Sequence, residues 1–309
     1  MKTRGYITIA TGNEKYFKLA NQLLRSYRKY STDGLPFALI CDSENQYTKE
    51  FDEVVVVSDA KKSYLDKLQL HRWSPYDETI FVDADSLLCA DPAGLWEDFK
   101  TCGDVSCYGY CFPLHSNRGW YYVDGCGAYK DEIEYEISLH GGIYFLRKGQ
   151  VCDAVFNKAL ELAKDYHKYT FVDFSNPADE PVLALSMAIH KIYPCPKKPR
   201  ILFYPSVRNK LRVCVSGTLC IDKEICRTEL VHFSTPNTEL FLYVYLNYLI
   251  NNEHISNSFF NKFFRYMKIR IMTAPKDIRS TLQHCVGAYL RKVLPPSYVA
   301  RLKKTLLGK

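Results

Sequence analysis

The sequence predicts an α/β fold, a mostly parallel central sheet flanked by helices and followed by a basic, mainly helical C-terminal segment. Three observations carry this. Apolar runs of strand length alternate with amphipathic stretches of helix length over the first hundred residues, the pattern that assembles parallel strands under covering helices. The composition, 47% hydrophobic and 24% charged, is that of a globular chain rather than a disordered one. The charge is also divided. Residues 254–309 carry twelve Lys or Arg against Asp277 alone, a net +11, so the overall +7 leaves −4 on the first 253 residues.

Taken in order, residues 6–10 (Tyr-Ile-Thr-Ile-Ala) read as a buried strand. Residues 15–30 read as a helix, because Phe17, Ala20, Leu23, Leu24 and Tyr27 recur at steps of three and four. Residues 37–41 and 54–57 are further strands, 61–73 a helix and 79–82 a fourth strand. Beyond residue 100 come a loop-rich section with aromatics and cysteines, a strand at 142–146, helices near 151–165 and 181–190, and short strands around 201–231. The expected division is a domain at 1–250 and a separate segment at 251–309. In sheets of this kind ligands bind at the carboxyl ends of the strands.

Several function classes lose ground. Neither G-x-x-x-x-G-K-[ST] nor G-x-G-x-x-G follows the first strand, which counts against an ATPase or a dinucleotide-dependent oxidoreductase. The densest apolar stretch, 240–250, is eleven residues long and contains Asn247, short of the roughly 20 residues of a membrane span. The apolar run after Met1-Lys2-Thr3-Arg4 is too short for a secretory signal. The twelve cysteines contain no C-x-x-C, and Cys102, Cys107, Cys111 and Cys126 match no standard zinc spacing. Reduced thiols and a cytoplasmic location are expected.

The chemistry centres on Phe81-Val82-Asp83-Ala84-Asp85. Two carboxylates one residue apart at the end of a buried strand can be aimed at one cation, and hard oxygen ligands suit Mg²⁺ or Mn²⁺. Alone, Asp-x-Asp is as readily a polar turn. It stands, however, behind Leu65-Asp66-Lys67-Leu68 and Trp73-Ser74-Pro75-Tyr76. The ordered set L-x-K-L, W-S-x-Y, F-x-D-A-D resembles the glycogenin-like retaining glycosyltransferases of glycosyltransferase family 8 type, which have the Rossmann-like GT-A fold. Bacterial glycan-synthesis members are the nearest in character.

The resemblance spans roughly residues 5–235 and implies roles for matched residues. Ala10-Thr11-Gly12-Asn13 with Tyr16 looks like the first nucleotide-binding loop, with Tyr16 stacking a uracil and Thr11 and Asn13 on base or ribose edges. Lys67 would sit near the phosphates; Ala84, His140, Gly141 and Gly142 would line the donor. His232, in Val231-His232-Phe233, would join Asp83 and Asp85 on Mn²⁺ or Mg²⁺. Asp179 and Glu180 would flank the sugar, and Pro181 early in a helix puts both at its N-terminus, where the helix dipole favours the ionised form. Covalent attack and simple charge stabilisation both stay open. Each residue also has a structural reading: Tyr16 as helix packing, Lys67 as a solvated lysine, His232 as hydrogen-bonded core and the acid pair as a helix cap.

The chain departs from the family in three places. His140-Gly141-Gly142 replaces the usual Asn-Ser-Gly; Asp179-Glu180 after Ala178 replaces Asp-Gln after glycine; and the Gly and Lys that follow the family's histidine are absent. The donor expected is a UDP-sugar, and the acceptor a glycan or lipid-linked glycan. Two rivals are a sugar-phosphate nucleotidyltransferase, for which residues 10–15 hold too few glycines, and a catalytically degenerate carbohydrate-binding protein. From Phe259 the chain interleaves four phenylalanines and a tyrosine with cations, and residues 298–307, with Arg301, Lys303 and Lys304, repeat the theme. That composition suits a helix lying in an anionic membrane surface more than a nucleic-acid site, for which nothing else calls; its structural reading is an amphipathic helix packed on the domain with a basic outer face.

Overall fold

The computed structural model describes residues 3–172, 176–252 and 259–293. Residues 298–307 lie outside them, as does the second half of the basic theme. In chain order the strands are β1 Arg4–Ala10, β2 Phe37–Cys41, β3 Glu53–Val56, β4 Glu78–Val82, β5 Ser86–Leu88, β6 Val105–Ser106, β7 Gly109–Phe112, β8 Glu136–Leu139, β9 Ile143–Arg147, β10 Ile201–Phe203, β11 Leu211–Val213, β12 Leu219–Ile221, β13 Glu224–Ile225 and β14 Leu230–His232. The helices are α1 Glu14–Tyr30, α2 Leu70–Trp73, α3 Ala93–Phe99, α4 Gln150–Lys164, α5 Asp179–Ile189, α6 Tyr204–Val207, α7 Phe241–Asn251 and α8 Phe259–Val293.

The chain divides into two compact units, Met1–Val207 with Arg227–Ser234, and Arg208–Cys226 with Thr235–Lys309. The first is built on a six-stranded sheet in the order β3-β2-β1-β4-β9-β6. The first four run parallel; β9 lies antiparallel to β4, and β6 antiparallel to β9. Strand alternation sends the sheet's side chains to two faces. Tyr6 and Phe145 face α1 and α3, where Tyr27, Trp96 and Phe99 pack on them. Ile7, Phe81, Tyr144 and Leu146 face a core completed by Phe156 of α4 and Val182, Leu183 and Leu185 of α5. Helices therefore cover both faces, as the alternating apolar runs predict.

Two local differences bear on function. The stretch expected as one helix over 61–73 is a 3₁₀ helix, Tyr64–Gln69, leading into the single turn α2. Buried Asp66 explains the late start: its carboxylate accepts the backbone N–H groups of Lys61, Lys62 and Ser63 and so holds the chain in a turn. The antiparallel insertion of β9 was also outside the parallel pattern. It brings the Gly141–Gly142 turn to the carboxyl end of β4, because Val82 pairs with Ile143.

Away from the main sheet, β10 and β5 flank β14, and β7 pairs with β8. The second unit holds the three-stranded β11-β12-β13 meander together with α7 and α8. Within it Tyr266 packs edge-on against Phe241 and Tyr245, Arg270 lies over Phe241, and the Asp277 carboxylate accepts the Phe241 N–H. Among the described residues no helix is long and apolar enough to cross a membrane.

Candidate active site

Three strands converge where β4 ends. The Asp83 N–H donates to the Gly142 carbonyl, continuing the β4–β9 ladder by one rung, and the Asp83 carbonyl accepts the Ser86 N–H to turn the chain into β5. β14 runs antiparallel to β5 with His232 opposite Ser86, and the Phe233 N–H donates to the Asp85 carbonyl. The result is that His232 Nε2 lies 3.1 Å from Asp85 Oδ1 and 3.6 Å from Asp83 Oδ2. One ligand atom from each of Asp83, Asp85 and His232 falls within 4.8 Å of the others. Ala84 is buried between the two aspartates.

A second acidic pair faces this cluster from α5. Ala178 has extended backbone, the helix begins at Asp179, and Pro181 occupies its third position, where a missing N–H costs nothing. The Asp179 carboxylate accepts the Tyr144 hydroxyl from β9. Glu180 accepts the Gly141 N–H at 2.8 Å. Lys67 links the pairs: its ammonium donates to Asp83 at 2.8 Å and to the Gly141 carbonyl at 3.2 Å, and lies 3.6 Å from Asp179. The two glycines are required for space. A Cβ on Gly141 would stand 2.5 Å from Glu180 Oε1, and one on Gly142 would stand 2.5 Å from His232 Nδ1.

Burial governs the electrostatics. It works against the charge on Lys67, but Asp179 and Asp83 outweigh it and hold the ammonium protonated. Burial raises the Asp83 carboxyl, a rise that Lys67 moderates and Asp85 reinforces. Glu180 is pushed up to about 7, by burial first and by the charge of Asp179 next. Burial opposes a proton on His232, yet its hydrogen bond to Asp85 and the charges of Asp85 and Asp83 raise its pKa overall. His140 goes the other way, to about 3, through burial and the neighbouring His232. Its Nδ1 accepts the Gly142 N–H at 3.1 Å, so the neutral ring carries its proton on Nε2, a buried donor with no partner among the described residues.

The donor set fits a hard divalent cation. Four buried or half-buried carboxylates confront one permanent cation, Lys67, an excess of negative charge that low-dielectric surroundings make costly. Neighbouring ligands of an octahedral Mg²⁺ stand roughly 3 Å apart, the separation already present between His232 and Asp85.

The sequence-named loop sits at the end of the adjacent strand β1. Ala10 is buried; the Thr11 hydroxyl donates to Asp66 at 3.4 Å; Gly12, at φ +79°, donates its N–H to Asp42; and Asn13 caps α1 by accepting the Lys15 N–H. Tyr16 lies half-buried on the first turn of α1. Three residues were missed. Tyr144 and Asp66 act through buried polar contacts that no motif encodes. Tyr64 is 55% exposed, and its phenol is raised by burial, then by Tyr16, and also by Asp83 and Asp85. Its position directly before Leu65-Asp66-Lys67-Leu68 was the available signal.

No protein-family model matches the chain, and no curated protein does. Solved structures do. The galactosyltransferase LgtC, in complex with donor and acceptor sugar analogues, superposes with a TM-score of 0.52 at 10% identity, over 84% of this chain and 99% of that one. The apo structure of the bifunctional glycosyltransferase WbbM superposes with a TM-score of 0.51 at 11% identity, over 86% of this chain. The fold is that of the GT-A glycosyltransferases. This chain spans about half the length of WbbM, 52% of it. Within a GT-A fold the Asp83–Asp85–His232 cluster lies at the carboxyl end of a central parallel strand, where such sheets bind ligands.

Proposed function

We propose that this chain is a metal-dependent retaining glycosyltransferase that moves a hexose from a UDP-sugar to a glycan or lipid-linked acceptor. The observation that carries the proposal is the convergence of Asp83, Asp85 and His232 beside Asp179 and Glu180, with Lys67 bridging the two groups. Asp83, Asp85 and His232 would hold Mn²⁺ or Mg²⁺, which when bound supplies neutralisation of charge on the departing diphosphate. Thr11, Asn13 and Tyr16 receive the base and ribose, with Ala10 as the floor of the loop. His140 offers its Nε2 proton to a donor oxygen, the Gly141–Gly142 turn lets Glu180 and His232 close up beside it, and Lys67 supplies positive charge without a family-type lysine after His232. Asp179 and Glu180 face the anomeric carbon. Glu180, pushed up to about 7, can exchange a proton near neutrality.

The same reading places the enzyme in the cytoplasm, peripheral on an anionic membrane surface. Support comes from α8, where Phe264, Met267, Ile271 and Ile278 recur at helical spacing and are all exposed. They lie off the Tyr266–Arg270–Thr273–Asp277 face that packs within its unit.

The test is isothermal titration of UDP into the full chain with Mn²⁺ and then with EDTA, alongside Asp83→Asn. Binding that weakens at least tenfold (~1.4 kcal/mol) both on chelation and in the variant is expected. Equal affinity with and without metal sinks the metal-diphosphate assignment. Binding without Mn²⁺-dependent donor hydrolysis would favour the carbohydrate-binding rival.

A further inference from the structure

We propose that β7 and the loop over residues 113–119 form a shelf that receives a pyranose unit of a saccharide acceptor, stacked on Tyr110. This rests on the transferase reading above for what happens next to the shelf, but the shelf itself stands on separate residues.

The shelf is continuous with the active site. The His140 N–H donates to the Tyr108 carbonyl, so the β7–β8 ladder runs on to the histidine. Gly109 pairs with Leu139 and Tyr110 with Ser138. Tyr110 is therefore two residues along the strand from the His140 rung, roughly 7 Å at 3.3–3.4 Å per residue. It is 61% exposed, unusual for an aromatic side chain on a paired strand. Phe112, next on the same face, lies 6.2 Å from it, and the Arg118 guanidinium sits 4.1 Å above the Phe112 ring.

The loop that carries Arg118 is held in place. Glu136, buried opposite Phe112, accepts the Ser116 hydroxyl at 2.6 Å and the N–H groups of Asn117, Arg118 and Gly119. These bonds outweigh burial and keep the carboxylate ionised. The loop they secure contains His115 at φ +60° and Asn117 at φ +57°, a left-handed conformation that non-glycine residues adopt only at a cost. A loop that merely connected two elements would not need one buried carboxylate to fix four donors in that shape.

The chemistry selects a sugar. An exposed phenol presents the negative face of its ring, to which the axial C–H bonds of a pyranose bind. The guanidinium, stacked over Phe112 on a loop whose backbone is fixed, offers planar paired donors to hydroxyl or carboxylate oxygens beside it. A free apolar ligand would leave those donors without a role.

The test is saturation-transfer NMR on the full chain with methyl hexopyranosides and lactose as probes, comparing wild type, Tyr110→Ala, Tyr110→Trp and Asp83→Asn. Ring-proton saturation is expected in the wild type, at least threefold weaker in Tyr110→Ala, and retained in Tyr110→Trp and Asp83→Asn. Absence of saturation from every probe, or an undiminished signal in Tyr110→Ala, overturns the shelf. Saturation that follows Tyr110 in a protein that fails to bind UDP upholds the shelf and rejects the donor site alone.

Discussion

Asp179 and Glu180 are successive residues on one helical turn and meet different surroundings. Asp179 has a hydroxyl and an ammonium beside it, whereas Glu180 has one backbone N–H and the charge of Asp179. That difference has a thermodynamic sign. Glu180 moves from 4.5 up to about 7, so the native state keeps this proton to higher pH than the unfolded chain does. Its contribution to stability is therefore greatest below pH 4.5, is lost as pH rises through about 7, and is level above that. The shift corresponds to at most about 3 kcal/mol. Glu180→Gln cannot ionise and keeps an acceptor for the Gly141 N–H. In urea unfolding with EDTA it should be more stable than wild type by about 1–3 kcal/mol at pH 8 and no more stable at pH 5. A gain of equal size at both values would refute the assignment. His140, lowered from 6.5 to about 3, takes up its proton more readily in the unfolded chain, so it lowers stability as pH falls below about 6.5 in wild type and variant alike and cancels from their difference.

At the scale of elements, α8 has one face engaged within its unit and a second, apolar face with a cationic border. One face is used inside its unit, through Tyr266, Arg270, Thr273 and Asp277. The other leaves Phe264, Ile271 and Ile278 more than 60% exposed, with Lys268 and Arg279 exposed nearby. Apolar burial and attraction to anionic lipid should then act together. Co-sedimentation with phosphatidylglycerol vesicles is expected for the wild type and should fall at least fivefold in Phe264→Ser/Ile271→Ser. It should also fall with added salt, since exposed charges are screened within about 8 Å at physiological ionic strength. Binding to neutral phosphatidylcholine vesicles of equal strength would contradict an electrostatic contribution.

For the molecule as a whole, the sequence revealed the sheet and the Asp83–Asp85 pair for the same reason: both are written in local patterns, whereas His232 is reached only through the family resemblance. Strands of buried apolar residues announce themselves, and Asp83 and Asp85 stand one and three residues past such a strand. What stayed hidden depends on distant partners. Lys67 is placed near the phosphates by the resemblance, but that it lies between Asp83 and Asp179 is seen only in the fold. Tyr144 reads as core until its hydroxyl meets Asp179. The direction of β9 is not legible either, because it is set by the connection after β8, which has no periodicity to reveal it. Glu136 reads as a surface acid, yet it is fully buried and organises a loop lying about twenty residues earlier in the chain.

The pairing of Ser86 with His232 also determines when the site comes into being. Asp83 and Asp85 follow a strand whose partners β1 and β9 lie 61–74 positions away, but His232 reaches them only when β14 docks on β5, across 146 positions of chain. Contacts so far apart form late, since loop closure must come before they stabilise anything. After dilution from denaturant, helical circular dichroism should therefore recover ahead of Mn²⁺ binding, followed by the paramagnetic quenching of tryptophan fluorescence. Simultaneous recovery of the two signals would mean that β14 docks with the first-formed structure. In the expected order, the cation meets a finished protein, and metal occupancy serves as a clock for the last step of its folding.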